Sequence, residues 1–232
     1  METMHRTLFA LAVTLVSIVP LCGAGVAESD FALNVEDKDP PEAISEELRA
    51  KIVPKAYQIS DADGLFFEFW FVPELTVSAI ADTTKKTLDN VEEISLIGAM
   101  IVHDEDHSDF RDDPIDPGIY VLRMVLQPQN GDHMGTSPYD TFAILMPFDK
   151  DDELKEYADH EYMVELASED TIAEHPPIIA LQPMDSLEGE FPRLHKDEEK
   201  EWDSFCMKFP AKAGDESTVL PLFVVFEGIG EL

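Results

Sequence analysis

Asp132, His133 and Met134 stand side by side, with Gly131 and Gly135 on their flanks. Glycines at both sides let the backbone turn tightly and present the three side chains together. An imidazole beside a thioether suits copper, Cu(I) above all. A copper carrier needs three or four converging ligands, and this pair supplies two. His103 and His107 lie near the preceding strand as further candidates. The competing reading is that Asp132 and His133 hydrogen-bond the loop backbone and hold its shape.

A second candidate is the run HDEDHSDFRDDPID, dense in the hard oxygen ligands that suit calcium. Asp104, Asp106 and Ser108 match the first three positions of the helix-loop-helix calcium pattern. Asp109 then replaces the glycine, and Ile115 stands where the bidentate Glu belongs. A solvated acidic loop is the plainer reading, with Asp104 and Asp106 as the metal candidates. Trp70 beside Glu68 offers a flat platform for a ligand such as a sugar, or covers a second layer of the fold. His175, in His-Pro-Pro, reads as a rigid turn. No GxSxG, phosphate loop, HExxH or CxxC occurs. A carboxylate pair of the glycosidase type is neither found nor excluded among so many acids.

The elements that would position these residues are mostly strands. In GLFFEFWFVPEL, Phe67, Phe69 and Phe71 share one face and Phe66, Glu68 and Trp70 the other. EISLIGAMIVH is apolar on both faces, as in a central strand, and Gly98 in its middle predicts a bulge or a close backbone approach. GIYVLRMVLQP places Tyr120, Leu122, Met124 and Leu126 on one face. TFAILMPF follows beyond the 127–141 loop, which is longer than an ordinary hairpin connection. HPPIIALQP reads as a short extended segment. DSFCMKFPA and STVLPLFVVFEG read as two closing strands, with Pro221 at a strand start or an edge. Helical spacing appears in Leu154, Ala158, Tyr162 and Leu166, with Asp151 or Asp152 as N-cap, and a short helix is expected over 44–52. Strands dominate and no βαβ alternation is present. The expected class is therefore mainly β, an antiparallel β-sandwich, Ig-like or jelly-roll-like, with one inserted helix.

The chain has 232 residues, 44% of them hydrophobic, enough for one sizeable core. Asp and Glu number 49 against 16 Lys and Arg, a formal net charge of −33. Such a surface repels nucleic acid and anionic membranes, which need clustered cations. It favours cations, cationic partners or solubility in salt. At the N-terminus Arg6, an apolar run from Leu8 to Val19, Pro20 and small residues ending at Ala27 form the pattern of a secretory signal peptide. The run is short for a stable membrane span. Cleavage after Ala27 would remove Cys22 and leave Cys206 alone, without an internal disulfide. Cys22 raises a lipid-anchored alternative, but Leu21 stands where a small residue is wanted. Cys206 alternates with Phe205, Met207 and Phe209, so it faces the other side of its strand as a half-buried thiol. The expected organisation is a signal peptide over 1–27, a polar lead-in over 28–56 and a β domain over 57–232.

Pro117, Gly118, Tyr120, Leu122 and Arg123, then Gly131, His133, Met134, Gly135 and Pro138, then His175 and Pro176, form a pattern of their own. This run resembles a family of uncharacterised exported bacterial proteins with a PGxYxLR…GxHMGxxP pattern, over about the middle third of the chain. The resemblance implies an exported β-rich domain and carries no activity. It marks the loop and His175 as the place for a site.

The expectation is a secreted or periplasmic, non-catalytic binding or accessory protein of the cell envelope. Its partner would be a small molecule or an envelope protein, with Asp132, His133, Met134, His175 and Trp70 as ligand-binding candidates. The alternatives are a periplasmic copper or calcium binder, using His133, Met134, Asp104 and Asp106, and a secreted hydrolase with a carboxylate-based site.

Overall fold

Alternating apolar side chains commit much of this chain to strands, and a computed structural model shows how they pair. It describes residues 29–78, 88, 90–103, 107–127, 139–151, 160–169, 171, 175–183 and 189–230. The expected signal segment and Cys22 therefore lie outside the described residues. The strands are β1 (Ala32–Glu36), β2 (Ala56–Ser60), β3 (Leu65–Phe71), β4 (Leu75–Thr76), β5 (Leu96–Val102), β6 (Gly118–Leu126), β7 (Thr141–Pro147), β8 (Ile178–Pro183), β9 (Arg193–Asp197), β10 (Trp202–Ala213) and β11 (Glu216–Glu227). The helices are α1 (Glu46–Arg49), α2 (Phe148–Asp151) and α3 (His160–Ser168).

All the strands belong to one sheet, in the order β1-β2-β3-β5-β6-β7-β8-β11-β10-β4, with β9 also on β10. Neighbours run antiparallel except β4 on β10. Since β4 follows β3 almost directly, its pairing with Ala211 and Lys212 returns the far edge to the third strand. At the other end Lys196 of β9 pairs with Asp30, just before β1, at 3.1 Å, and Ser29 Oγ donates to Asp203 Oδ1 at 2.7 Å. The sandwich expectation therefore gives way to one antiparallel sheet nearly closed into a barrel. Near-closure leaves little unpaired edge.

The barrel interior is the face that period-2 alternation assigns to the core. Phe67, Phe69 and Phe71 meet Met100, Leu122, Met124, Phe205, Phe209, Leu222, Val224 and Phe226 there. Phe69, Phe71 and Phe205 lie nearly parallel, with centroids 6.0–6.3 Å apart, and Phe209 meets Phe71 edge-on at 5.5 Å. Each such ring contributes about 1.5–3 kcal/mol by burial, and each pair about 0.5–1.5 kcal/mol more.

The outer face is half covered. Ile44, Leu48 and Ile52, around α1, and Met163, Leu166 and Ala167 of α3 pack with Trp70, Val121, Phe142 and Ile144 in a second core. Within the expected polar lead-in, β1 pairs with β2 and the α1 region contributes to this layer. Ser45 caps α1 through the Leu48 amide at 3.4 Å, with Glu46 and Glu47 in its first turn. Among the described residues there are three short helices, where one inserted helix is expected from the sequence. Tyr162 and Leu166 fall in α3, while Leu154, Ala158 and Asp152 lie outside the described residues. Asp151 is not an N-cap: it ends α2, buried, with Oδ1 and Oδ2 accepting from Arg123 Nη2 and Nε at 2.8 and 3.1 Å. Arg123 sits on the covered face, and a charge there needs a partner.

Candidate functional site

Strand register builds one polar site on the part of the outer face that the helices leave open. Gln182 of β8 pairs with Phe223 of β11, Phe223 with Cys206 of β10, and Cys206 with Arg193 of β9. The next outward row runs Ala180, Val225, Ser204 and His195 across the same strands. Residues opposite one another in a ladder share a face. The last four strands of the chain, β8 to β11, therefore bring an amide, a guanidinium, an imidazole and a hydroxyl onto one surface. Tyr139, Trp202 and Lys200 complete the walls of a cavity of about 340 Å³ over these rows.

The imidazole of His195 stacks on the Phe223 ring, 5.1 Å between centroids and 6° from parallel. Lys200 Nζ sits 4.4 Å from the Trp202 ring centre, and the Arg193 guanidinium 4.9 Å from that of Phe191. Trp202 is itself fixed by its indole N–H, which donates to the Ile229 carbonyl at 2.9 Å. Among the described residues Asp197 is the one acid on the wall, and its Oδ1 is taken by the amides of Glu199 and Lys200, both at 3.1 Å. In a chain with threefold more acids than bases, a described lining with Arg193 and Lys200 against Asp197 reverses the local balance.

Gln182 is the residue that fold stability does not explain. It is 2% exposed, yet neither Nε2 nor Oε1 has a partner among the described residues, nor does Arg193 Nε. A buried polar group left unpaired costs about 1–3 kcal/mol, and native structures hold few of them. Cys206 lies in the same row and is fully buried rather than half-buried. Burial pushes its thiol up to about 12 against the opposing pull of Arg193. At neutral pH it is neither nucleophile nor metal ligand.

The residues singled out in the sequence fare differently. Asp104, Asp106, Asp132, His133 and Met134 lie outside the described residues. The loop that carries the last three leads into Tyr139, on the wall of the cavity. His175 is exposed, and its carbonyl accepts from Thr171 Oγ1 at 3.0 Å. Trp70 is not a platform: it is fully buried under the α1 layer, and its indole N–H donates to the Lys38 carbonyl at 2.9 Å. His107 is buried edge-on against Phe67 at 4.5 Å. Among the described residues no group of three or more His, Cys, Asp or Glu is placed to hold a metal ion.

Glu68, beside Trp70, organises a separate cluster. It accepts from Lys38 Nζ, from Gln58 Nε2 at 3.0 Å and faces His103 Nε2 at 3.0 Å. Burial pushes its carboxyl up, but the hydrogen bonds from Lys38, Gln58 and His103 and the Lys38 charge win, holding it below its ordinary value of 4.5. A carboxylate depressed in the fold stabilises above the unfolded value, near pH 4.5, and that contribution fades as pH falls through the folded value. Lys38→Met is therefore expected to cost about 1–2 kcal/mol at pH 7, the exposed ammonium being partly screened. The difference should shrink at acidic pH, as urea unfolding at pH 7 and pH 3.5 would reveal.

The signal for the cavity residues was present but faint. Gln182 is a lone amide in an otherwise apolar strand, and RLHKD puts Arg193, His195 and Asp197 on one side. What the sequence does not carry is the register that brings them together. Comparison with protein-family models, with curated proteins and with solved structures finds no match.

Proposed function

We propose that this chain is an exported, non-catalytic binding or accessory protein of the cell envelope, and that its small-molecule ligand sits in the cavity over β8, β11, β10 and β9. The observation that carries the reading is the buried Gln182 amide, unpartnered among the described residues, on the floor of a pocket with cations on its walls. A domain this well packed has no folding reason to keep a primary amide where leucine would fit. Groups that cost stability and are retained are typical of binding sites. Aromatic walls with a few convergent polar groups are the usual makeup of such a pocket. Export is read from the N-terminal pattern of Arg6, the apolar run and Ala27. Among the described residues no helix is long and apolar enough to cross a membrane.

The test is Gln182→Leu. Removing an unpaired buried amide in favour of a near-isosteric alkyl group is expected to raise stability by about 1–3 kcal/mol in urea unfolding. The gain would identify Gln182 as a group kept for a ligand. A variant less stable than the wild type would show the amide to be structural and would remove the reason for placing the site here.

A further inference from the structure

We propose that the pocket takes a single anionic sugar ring, a hexuronic acid, free or as the end residue of an acidic polysaccharide. This rests on the reading that the pocket is the binding site, and it specifies the ligand. Three observations narrow the chemistry. The cavity, about 340 Å³, sits at the small end of ligand pockets and suits one ring with its substituents. Arg193 and Lys200 reach it in a chain of net charge −33, so the ligand carries a negative charge that the rest of the surface would repel. Gln182 offers both a donor and an acceptor that are unmet among the described residues, which suits groups that themselves donate and accept.

Hydroxyls do both. A benzoate-like anion would satisfy Arg193 but give Gln182 Oε1 nothing to accept from, and inorganic phosphate would leave the ring faces bare. A neutral sugar would leave the guanidinium unpaired. A uronic acid meets all three demands. Its carboxylate takes the planar fork of Arg193. Vicinal hydroxyls take Gln182 and Ser204. Its C–H face lies on the aromatic wall formed by Phe223, His195 and Trp202.

The experiment follows the Gln182 side-chain amide in ¹H–¹⁵N spectra of the mature protein, assigned by its loss in Gln182→Leu. The probes are D-galacturonate, D-glucuronate, trigalacturonate, D-galactose, benzoate and inorganic phosphate. A uronate should shift this resonance and bind at least about tenfold more tightly than galactose. Arg193→Gln, checked as folded by its spectrum, should bring galacturonate down to the galactose level. Tighter binding of trigalacturonate than of the monomer would identify a polymer end, and equal binding a free sugar. Galactose binding as well as galacturonate would overturn the proposal. So would benzoate or phosphate shifting the amide while the uronates do not, a result that keeps the pocket as the site and discards only the sugar. Silence from all six probes overturns the sugar assignment, while the stability of Gln182→Leu separately decides whether the pocket is a site at all.

Discussion

Replacing Gly98 with alanine is expected to destabilise the fold by on the order of 4 kcal/mol, enough to leave little soluble protein. Gly98 lies in β5, opposite Phe71 of β3, next to a register shift between Leu96 and Gly98 on the β6 side. A Cβ added there would fall 1.9 Å from the Trp70 carbonyl oxygen and 2.9 Å from Phe71 Cα. Both are main-chain atoms of the adjacent central strand, so no side-chain rotation relieves the clash. Either β3 and β5 separate, losing ladder hydrogen bonds in the middle of the sheet, or Trp70 is driven into the layer that covers it. The contrast is Gly214, which has φ +58° and nothing within 4 Å of an added Cβ. There alanine meets only conformational strain, about 1–2 kcal/mol. Urea unfolding of both variants separates the effects. A Gly98→Ala protein within about 1 kcal/mol of wild type would show that β3 and β5 do not pair in this register.

Much of this fold is legible as alternation, and the unreadable part has a physical cause. Phe67, Phe69 and Phe71, like Tyr120, Leu122 and Met124, declare their face because one side must be buried. Gly98 declares a close approach because an apolar central strand has no other use for a missing side chain. Pro221 fits where it is found, just before the stretch Leu222 to Val225 that gains β8 as a second partner. The strands that escape reading are β1, β2 and β9, whose ALNVE, AYQIS and RLHKD carry too few apolar residues to show a period. They sit where the sheet nearly closes, half wet, and form because a partner strand is waiting. Alternation tells which face a residue occupies but not which strand lies beside it. Whether seven or more strands make two sheets or one barrel depends on that second fact. The site suffers from the same limit. Gln182 lies on β8 and Arg193 and His195 on β9, and only the register through Phe223, Cys206 and Ser204 makes them neighbours. Trp70 shows the converse, since its face was readable but the Ile44, Leu48 and Ile52 layer over it was not.

Removing the Asp109 carboxylate is expected to cost about 3–5 kcal/mol, although it lies in the most acidic loop of the chain, where one more acid looks dispensable. Its side chain is fully buried. Oδ1 accepts from the amides of Arg111 and Asp113 at 2.7 and 3.2 Å. Oδ2 accepts from Arg111 Nη2 and Nε at 2.7 and 3.2 Å and from the Ile178 amide at 3.2 Å. Arg111 Nη2 also donates to the Pro176 carbonyl at 2.5 Å. One carboxylate thus folds its own loop and ties it to the first residue of β8, the strand that carries Gln182. Asp109→Ala leaves the guanidinium with the Pro176 carbonyl and only the longer carboxylate contact to Asp113, at 3.6 Å, and strands the Ile178 N–H. Asp109→Asn is expected to lose nearly as much, because its amide would turn a donor toward Arg111 or Ile178. Urea unfolding gives the loss, and hydrogen exchange at Ile178 should speed up in both variants. The same measurement decides between an internal acceptor and a metal ligand. An acceptor predicts a deficit that added calcium leaves unchanged. Wild-type stability that rises with calcium, with no such response in Asp109→Ala, would instead make this carboxylate part of an ion site.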